Sequence, residues 1–337
     1  MLKKAKKERL IWLDIMITLL TLEVMSYFYY GARAVASAGM CVGVSFIAEL
    51  ISLRLMGRRF TADDLTCISD AMIISLMLPV SIDYQITAYA GIFAVIVAKN
   101  VFGGRHNIIF SPAAAAYVFV LTSWSREALM FPEPHTRLGI FEAPDTIVHS
   151  ASHAFNISGK LNYTDFEILM GNFSGPAGSA SVLLLVISAV MLIFRGDISA
   201  GAFLGSVIGT GLTAYLSPVG YSRIDSLGYS IVTNMVLFAS VYIIADKRIA
   251  PQRTIFAFFY GFIIAVTAYI LTLTTAKENP IIAAAVLFTP VALALRSLER
   301  KIDAELEAEK RREAEAASSE DVPETTEIRE EVTESHE

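Results

Sequence analysis

Two cysteines, Cys41 and Cys67, are the whole thiol inventory of this 337-residue sequence. An iron–sulfur cluster held by one chain asks for four thiolates, so any redox chemistry here runs through an organic cofactor or a cluster shared with a partner. Charge is scarce too. Asp, Glu, Lys and Arg make up 18% of the residues against 54% hydrophobic ones, and the mean hydropathy of +0.54 exceeds what a soluble core needs. The sequence has no recognisable nucleotide-binding motif, so oxidation of a soluble nucleotide donor would fall to another polypeptide, and no feature points to nucleic acid.

What the chain has instead is apolar runs. Segments long enough to cross about 30 Å of hydrocarbon fall near residues 10–30, 34–56, 69–82, 86–102, 109–124, 180–195, 199–217, 227–245, 252–274 and 279–297. The third ends in "LMLPVS" and the fifth begins in "FSPAAAA"; both are short for a full crossing and read as broken or re-entrant. The basic "KKAKKER" start is not followed by a small-residue cleavage site, so the first run reads as an uncleaved span. The expected fold class is an all-α polytopic membrane protein of about ten transmembrane helices, in two inverted five-helix halves.

Charge placement sets the expected orientation. Basic clusters at 3–9, 54–59, 99–105, Arg195, 247–253 and 296–301 all fall on one side of a ten-span arrangement, which the positive-inside rule makes cytoplasmic. The organisation read from this is a basic cytoplasmic N-terminus (1–9), a first five-helix half (10–124), an extracytoplasmic loop (125–178), a second five-helix half (179–297) and an acidic tail (298–337). From 301 onward the tail holds 14 acidic and 5 basic residues, a net −9 within a chain of −6. It reads as a short charged helix passing into a cytoplasmic segment too polar to offset its ordering entropy. The loop's Asn-x-Ser/Thr triplets at Asn156, Asn162 and Asn172 carry little weight.

Some residues invite a site reading. Non-helical backbone at membrane depth survives only where protein or a cavity satisfies it, so Ser111-Pro112 marks either a lined site facing the positive end of a half-helix or an ordinary helix start at the interface. In the second half, "ADKRIAPQ" has comparable turn chemistry. Asp14, Glu23 and Glu49 lie within apolar spans, where ionisable groups are costly; Asp14 can snorkel, and Glu49 is the ion-pathway candidate, against a helix–helix hydrogen bond. Tyr27, Phe28, Tyr29 and Tyr30 read as an interfacial aromatic belt. His149 and His153 are four apart without a third ligand, so no metal site is read there.

The stretches "DAMIISLMLP" and "GIFAVIVAKNVFGGRHNIIFSPAAAAYVFV" resemble the membrane-embedded flavin component shared by the Rnf complex (as RnfD) and the sodium-pumping NADH:quinone reductase (as NqrB), the NqrB/RnfD family. The matching positions are Ala98, Lys99, Phe102, Gly103, Gly104, Asn107, Phe110, Ser111, Pro112 and Ala113, with Ser111 where the family has Asn. Beyond the loop, "GNFSGPAGSAS" resembles a second family motif through Gly171, Asn172, Gly175, Gly178 and Ser181; similarity continues at Glu49 and Asp246 and covers roughly residues 10–297.

The resemblance implies a membrane subunit of an ion-translocating, flavin-based electron transport complex in a bacterial or archaeal cytoplasmic membrane. It would relay electrons coupled to Na+ or H+ movement, as part of an oxidoreductase and translocase rather than a stand-alone catalyst. It also implies companion subunits and two flavins. One is a non-covalent riboflavin near Asn107, Phe110, Ser111 and Pro112, with Gly171, Asn172 and Gly175 as further cofactor-binding candidates. The other is a covalent FMN, attached by an extracytoplasmic flavin transferase, for which Ser152 of Ser150-Ala151-Ser152 is the nearest acceptor. The family's Gly, Thr and following Pro are missing there, and Lys247 stands where the family has Pro after Asp246, which makes this a divergent member. A small-solute channel or transporter with inverted repeats, and a scaffold subunit without flavin, are the competing readings.

Overall fold

The structure, a computed structural model, describes residues 2–104, 107–161, 163–220 and 222–320. Every apolar segment read from the sequence contains helix. The first half comprises α1 (Leu2–Tyr30), α2 (Ala32–Leu55), α3 (Thr66–Met77), α4 (Tyr84–Ile92), which runs on as a π-helix over Phe93–Asn100, and α5 (Pro112–Ser123). The connecting loop carries α6 (Ser125–Ala128), an antiparallel pair of β1 (Met130–Pro132) and β2 (Ile147–His149), α7 (Ala151–Ser158), α8 (Asp165–Met170) and α9 (Ala177–Ala180). The second half comprises α10 (Val182–Arg195), α11 (Ala200–Leu216), α12 (Arg223–Val232), α13 (Val236–Ala239) extended by a π-turn over Ser240–Ile244, α14 (Thr254–Thr275) and α15 (Pro280–Leu287). The helix α16 (Thr289–Glu320) follows; from residue 294 its described part belongs to a separate unit, and the tail beyond 320 lies outside the described residues.

Three helices, Ile11–Tyr30, Ala32–Leu55 and Thr254–Thr275, are long and apolar enough to cross a membrane unbroken, and two bent pairs raise this to five. The others are shorter, so the chain is a polytopic membrane protein with several interrupted spans. Burial follows the inside-out logic of a lipid solvent. On α1, Leu13, Ile17, Leu20 and Val24 form an exposed apolar stripe while Thr18, Glu23 and Ser26 face inward, because lipid is as apolar as leucine and polar groups need protein partners.

Two of the interruptions are explained by what satisfies them. After Met77 the chain leaves the helix at Leu78-Pro79, and the freed carbonyls of Val80 and Ile82 accept from the buried Arg33 guanidinium at 2.8 and 3.2 Å, with Glu142 O at 2.8 Å from the same group. Arg33, which the sequence shows only as a scattered loop charge, thus ties the α3 break to the loop. Between α12 and α13 the chain bends by 53° as Asn234 and Met235 enter the left-handed region at φ 53° and 56°, where non-glycine residues need outside support. That support comes from the loop, since Ser152 Oγ accepts the Asn234 backbone N–H at 2.8 Å.

The aromatic belt is corrected in part. Tyr27 and Phe28 are exposed, but Tyr29 and Tyr30 are buried and their hydroxyls donate to Met170 O and Gly175 O. A helix facing lipid on one side presents consecutive aromatics to both lipid and protein.

In the second half, α11 and α14 meet backbone to backbone. A Cβ added at Gly201 would lie 2.3 Å from Thr254 O, one at Gly205 2.1 Å from Phe258 O, and one at Gly261 2.2 Å from Ala202 O. This is small-residue packing at four-residue spacing, as membrane helices use where apolar burial gives no net drive.

Candidate functional site

A cleft of about 740 Å³ opens between the start of α1, the turn before α3, the 196–199 connection and the 246–248 turn. Its size falls in the about 300–1,000 Å³ range of cofactor sites. Trp12, Ser69, Ile108, Tyr242, Asp246 and Arg248 are among its lining residues, so it joins Ile108, just before α5, to the turn of the second half. The buried Trp12 Nε1–H has no hydrogen-bond partner among the described residues. Such a donor costs about 1–3 kcal/mol unless a ligand or water accepts from it.

Arg248 anchors one wall. Its Nε donates to Asp246 Oδ2 at 2.8 Å, and its other nitrogens reach both Asp70 oxygens at 2.7 and 3.3 Å. Asp70 is buried on α3, so one guanidinium neutralises a carboxylate from each half. Burial works against the Arg248 charge, but Asp246 and Asp70 outweigh it and raise its pKa.

Next to the cleft residue Asp197, Arg195 Nε donates to Asp14 Oδ2 at 2.6 Å and stands 3.8 Å from Asp197. Asp14 is therefore paired, not snorkelling. Lost hydration, and then the neighbouring Asp14 carboxyl, push the Asp197 pKa up to about 6. Between the ordinary value of 3.8 and about 6, the folded chain binds more protons than the unfolded one, so stability falls as pH rises through that window. Asp197→Asn is expected to stabilise the detergent-solubilised protein more at pH 7.5 than at pH 4. Equal shifts in thermal midpoint at both pH values would contradict this.

Beside the Gly103-Gly104 turn lies a buried pair. Glu49 Oε1 accepts from Lys99 Nζ at 2.9 Å and Oε2 from Asn100 Nδ2 at 2.9 Å, with Thr66 Oγ1 3.4 Å from the same Nζ. Lys99 and Asn100 end the π-helix; its wider turn brings adjacent residues onto one carboxylate, and such bulges recur at functional sites.

A second polar centre gathers around α7 and the turn before α15. Asn156 and Asn234 exchange side-chain hydrogen bonds at 3.0 and 2.8 Å, Asn279 N donates to Asn234 Oδ1 at 3.2 Å, and Asn279 Nδ2 donates to Tyr117 OH at 2.9 Å. Glu278, next in the same turn, accepts from the Ser150 hydroxyl. Burial pushes its pKa up to about 7, partly offset by that hydrogen bond, while desolvation and then His149 lower that of His153.

The model of the family described as NQR2, RnfD, RnfE matches residues 2–295. The chain belongs to this family. It is similar to the D component of the Na(+)-translocating ferredoxin:NAD(+) oxidoreductase complex of Acetobacterium woodii, at 25% identity over 55% of this chain and 58% of that relative. It is similar also to the D components of the ion-translocating oxidoreductase complexes of Shewanella sediminis, at 27% over 38% of this chain and 36% of the relative, and of Alcanivorax borkumensis, at 24% over 75% and 80%. In the first two the matched region covers less than two thirds of the relative.

Of the positions through which the chain resembles the NQR2, RnfD, RnfE family, Asp246 lines the cleft, whereas Asn107, Phe110, Ser111, Pro112, Gly171, Asn172 and Gly175 do not. Ser111 N-caps α5, its hydroxyl accepting from Ala114 N at 3.4 Å, with Pro112 as the first helical residue. Asn107 is exposed and donates to Phe102 O at 2.9 Å, and Phe110 packs edge-on to Phe102 at 5.3 Å. Glu49 is held by Lys99. Gly171 caps α8 at φ 88°, where a Cβ would lie 2.0 Å from Ala180 O; Asn172 N donates to Glu167 O, and Gly175 O accepts from Tyr30. Ser152 is buried under Asn234.

Sequence reasoning missed Trp12, Asp70, Arg248 and Asn279. For Asn279 a signal existed: Asn279-Pro280 followed by Ile-Ile-Ala-Ala-Ala parallels Ser111-Pro112 and its alanine run. The two helices that begin there, of 12 and 8 residues, span only about 18 and 12 Å, and the Tyr117–Asn279 hydrogen bond joins them.

Proposed function

We propose that the chain is the membrane subunit of an ion-translocating, flavin-based electron transport complex of Rnf type, and that the 740 Å³ cleft holds its non-covalent flavin. The observation that carries this reading is that Trp12, Ile108 and Asp246 line one cofactor-sized space, with the Trp12 Nε1–H buried and without a partner among the described residues. The residues fit a riboflavin-like group: Trp12 offers a donor to a ring carbonyl, Tyr242 an aromatic wall, and Asp246 and Arg248 fixed charge at the rim. A bound flavin would supply one-electron and two-electron transfer; the chain supplies position, a low-dielectric surround and the partners that set its potential. Donor oxidation belongs to companion subunits.

Glu49 and Asp246 stay the ion-pathway candidates. Each already has a protein cation, so a passing Na+ or H+ has to compete with Lys99 or Arg248. Ser152 is the candidate FMN acceptor in this reading. Because its hydroxyl is buried, the transferase would act before α7 closes over Asn234.

The test is to purify the chain from cells with an active flavin transferase, precipitate it with acid, and measure flavin in both fractions. Soluble flavin near one per chain, falling about tenfold or more in Trp12→Phe when a hydrogen bond worth about 1–3 kcal/mol is lost, is the expected result. Flavin retained on the Ser152 peptide marks the covalent site. A colourless protein would favour a transporter or a bare scaffold instead.

Orientation has its own test. Both native cysteines are buried, so a cysteine at the exposed Ser158 should alone react with an impermeant reagent on intact cells. Labelling only after lysis would place the loop inside.

A further inference from the structure

Among the described residues, one cluster brings together two imidazoles and a carboxylate: the coordinating atoms of His149, His153 and Glu278 all lie within 4.8 Å of one another. The sequence shows only the two histidines, because Glu278 arrives from a turn well over a hundred residues away. Three features of the local fold place these groups. Ser150 N-caps α7, and its hydroxyl accepts the His153 backbone N–H at 3.1 Å, so the helix start fixes His153 one turn beyond His149. The two rings stack with centroids 4.2 Å apart. The same Ser150 hydroxyl donates to Glu278 Oε2, which turns Oε1 toward His153 Nδ1 at 3.4 Å.

That separation is informative. It is longer than a strong N–H···O hydrogen bond, but a tetrahedral ion with bonds of about 2.0–2.1 Å holds its ligand atoms roughly 3.3 Å apart. The sign of the local field also selects the occupant. The amide end of α7 would favour an anion by itself, but the buried Glu278 carboxylate turned to the same point repels phosphate and attracts a cation. The softness of two imidazoles with one carboxylate matches borderline divalent ions of the zinc class rather than Mg2+ or Ca2+. His149 is exposed and His153 half-buried, which leaves an approach from solvent and a fourth position for water, as in three-ligand zinc sites.

We propose that His149, His153 and Glu278 form a binding site for a divalent transition-metal ion of the zinc class, with Ser150 as the residue that orients the carboxylate. The ion staples the loop helix α7 to the turn before α15, beside the Asn156–Asn234–Asn279 network. The site rests on its own geometry and is independent of the flavin reading.

The test uses Zn2+ and the full-length protein in detergent, purified without a polyhistidine tag and stripped with a chelator. About one Zn2+ per chain is expected, measured by elemental analysis after desalting. Affinity should fall at least tenfold in His149→Ala, whose exposed side chain can be removed without disturbing the fold, and also in His153→Ala and Glu278→Gln. Ser150→Ala should weaken binding by about 10–100-fold, as loss of a group supporting a ligand does. Substituted Co2+ should show the intense visible bands of a tetrahedral site, lost in His149→Ala. Absence of stoichiometric Zn2+ from the wild-type chain, or undiminished binding in the His149→Ala, His153→Ala double variant, overturns the proposal.

Discussion

Lys99→Met is expected to destabilise the protein by about 3–5 kcal/mol, the range found when one partner of a buried ion pair is removed. Both side chains of the Lys99–Glu49 pair are about 1% exposed, so neither water nor salt screens the remaining carboxylate. Asn100 keeps one hydrogen bond to Glu49 but brings no charge. Glu49→Gln should cost less, because the ammonium keeps Thr66 and a neutral amide can still accept. The double variant Lys99→Met, Glu49→Gln should recover most of the loss, since replacing a buried pair by uncharged groups of similar shape is often nearly neutral. Thermal unfolding in detergent checks the series, and a Lys99→Met protein as stable as wild type would show that the pair contributes nothing net to the fold. The double variant also separates structure from transport: recovered stability with lost ion movement is expected if Glu49 serves the ion pathway.

Arg248→Met should cost about 3 kcal/mol, the lower end of the same range, because the Arg248 side chain is 27% exposed and water partly screens what remains. Its distinguishing feature is that two carboxylates lose one shared partner. Asp70, buried on α3, suffers more than Asp246, which keeps a hydrogen bond from the Arg248 backbone N–H at 2.8 Å whatever the side chain. Asp70→Asn should therefore rescue Arg248→Met better than Asp246→Asn does. Equal rescue by the two would mean that the guanidinium is divided evenly between them. The cleft should widen when this wall is neutralised, so soluble flavin content falls in Arg248→Met and stays low in the rescued variant.

The ten apolar segments were legible because run length and turn residues are local properties, and so were the breaks at Pro79 and Pro112. What satisfies those features was not. Glu49 and Lys99 are 50 positions apart, and Asp70 and Arg248 are 178 apart. No periodicity links such pairs, and both cations had an adequate explanation as interface charges. The role of Arg33 was hidden for the same reason, since a basic residue near a loop gives no sign that carbonyls freed by a distant proline surround it. The π-helix at Phe93–Asn100 was equally silent, since nothing in the composition of "FAVIVAKN" marks its wider turn. Family resemblance supplied the motif positions around 98–113 and 171–181, but the cleft that the structure shows is built largely from residues outside them.

The glycine seam of α11 and α14 has a mechanical meaning. Where two helices touch through carbonyl oxygens and Cα atoms, no side chain stands between them to change rotamer, and a slide of even one residue would drive a carbonyl into a Cβ. The pair is a single girder. Any motion in this half would carry α11 and α14 together and be taken up where the chain is already bent, at Thr233–Met235 and at the turns on either side.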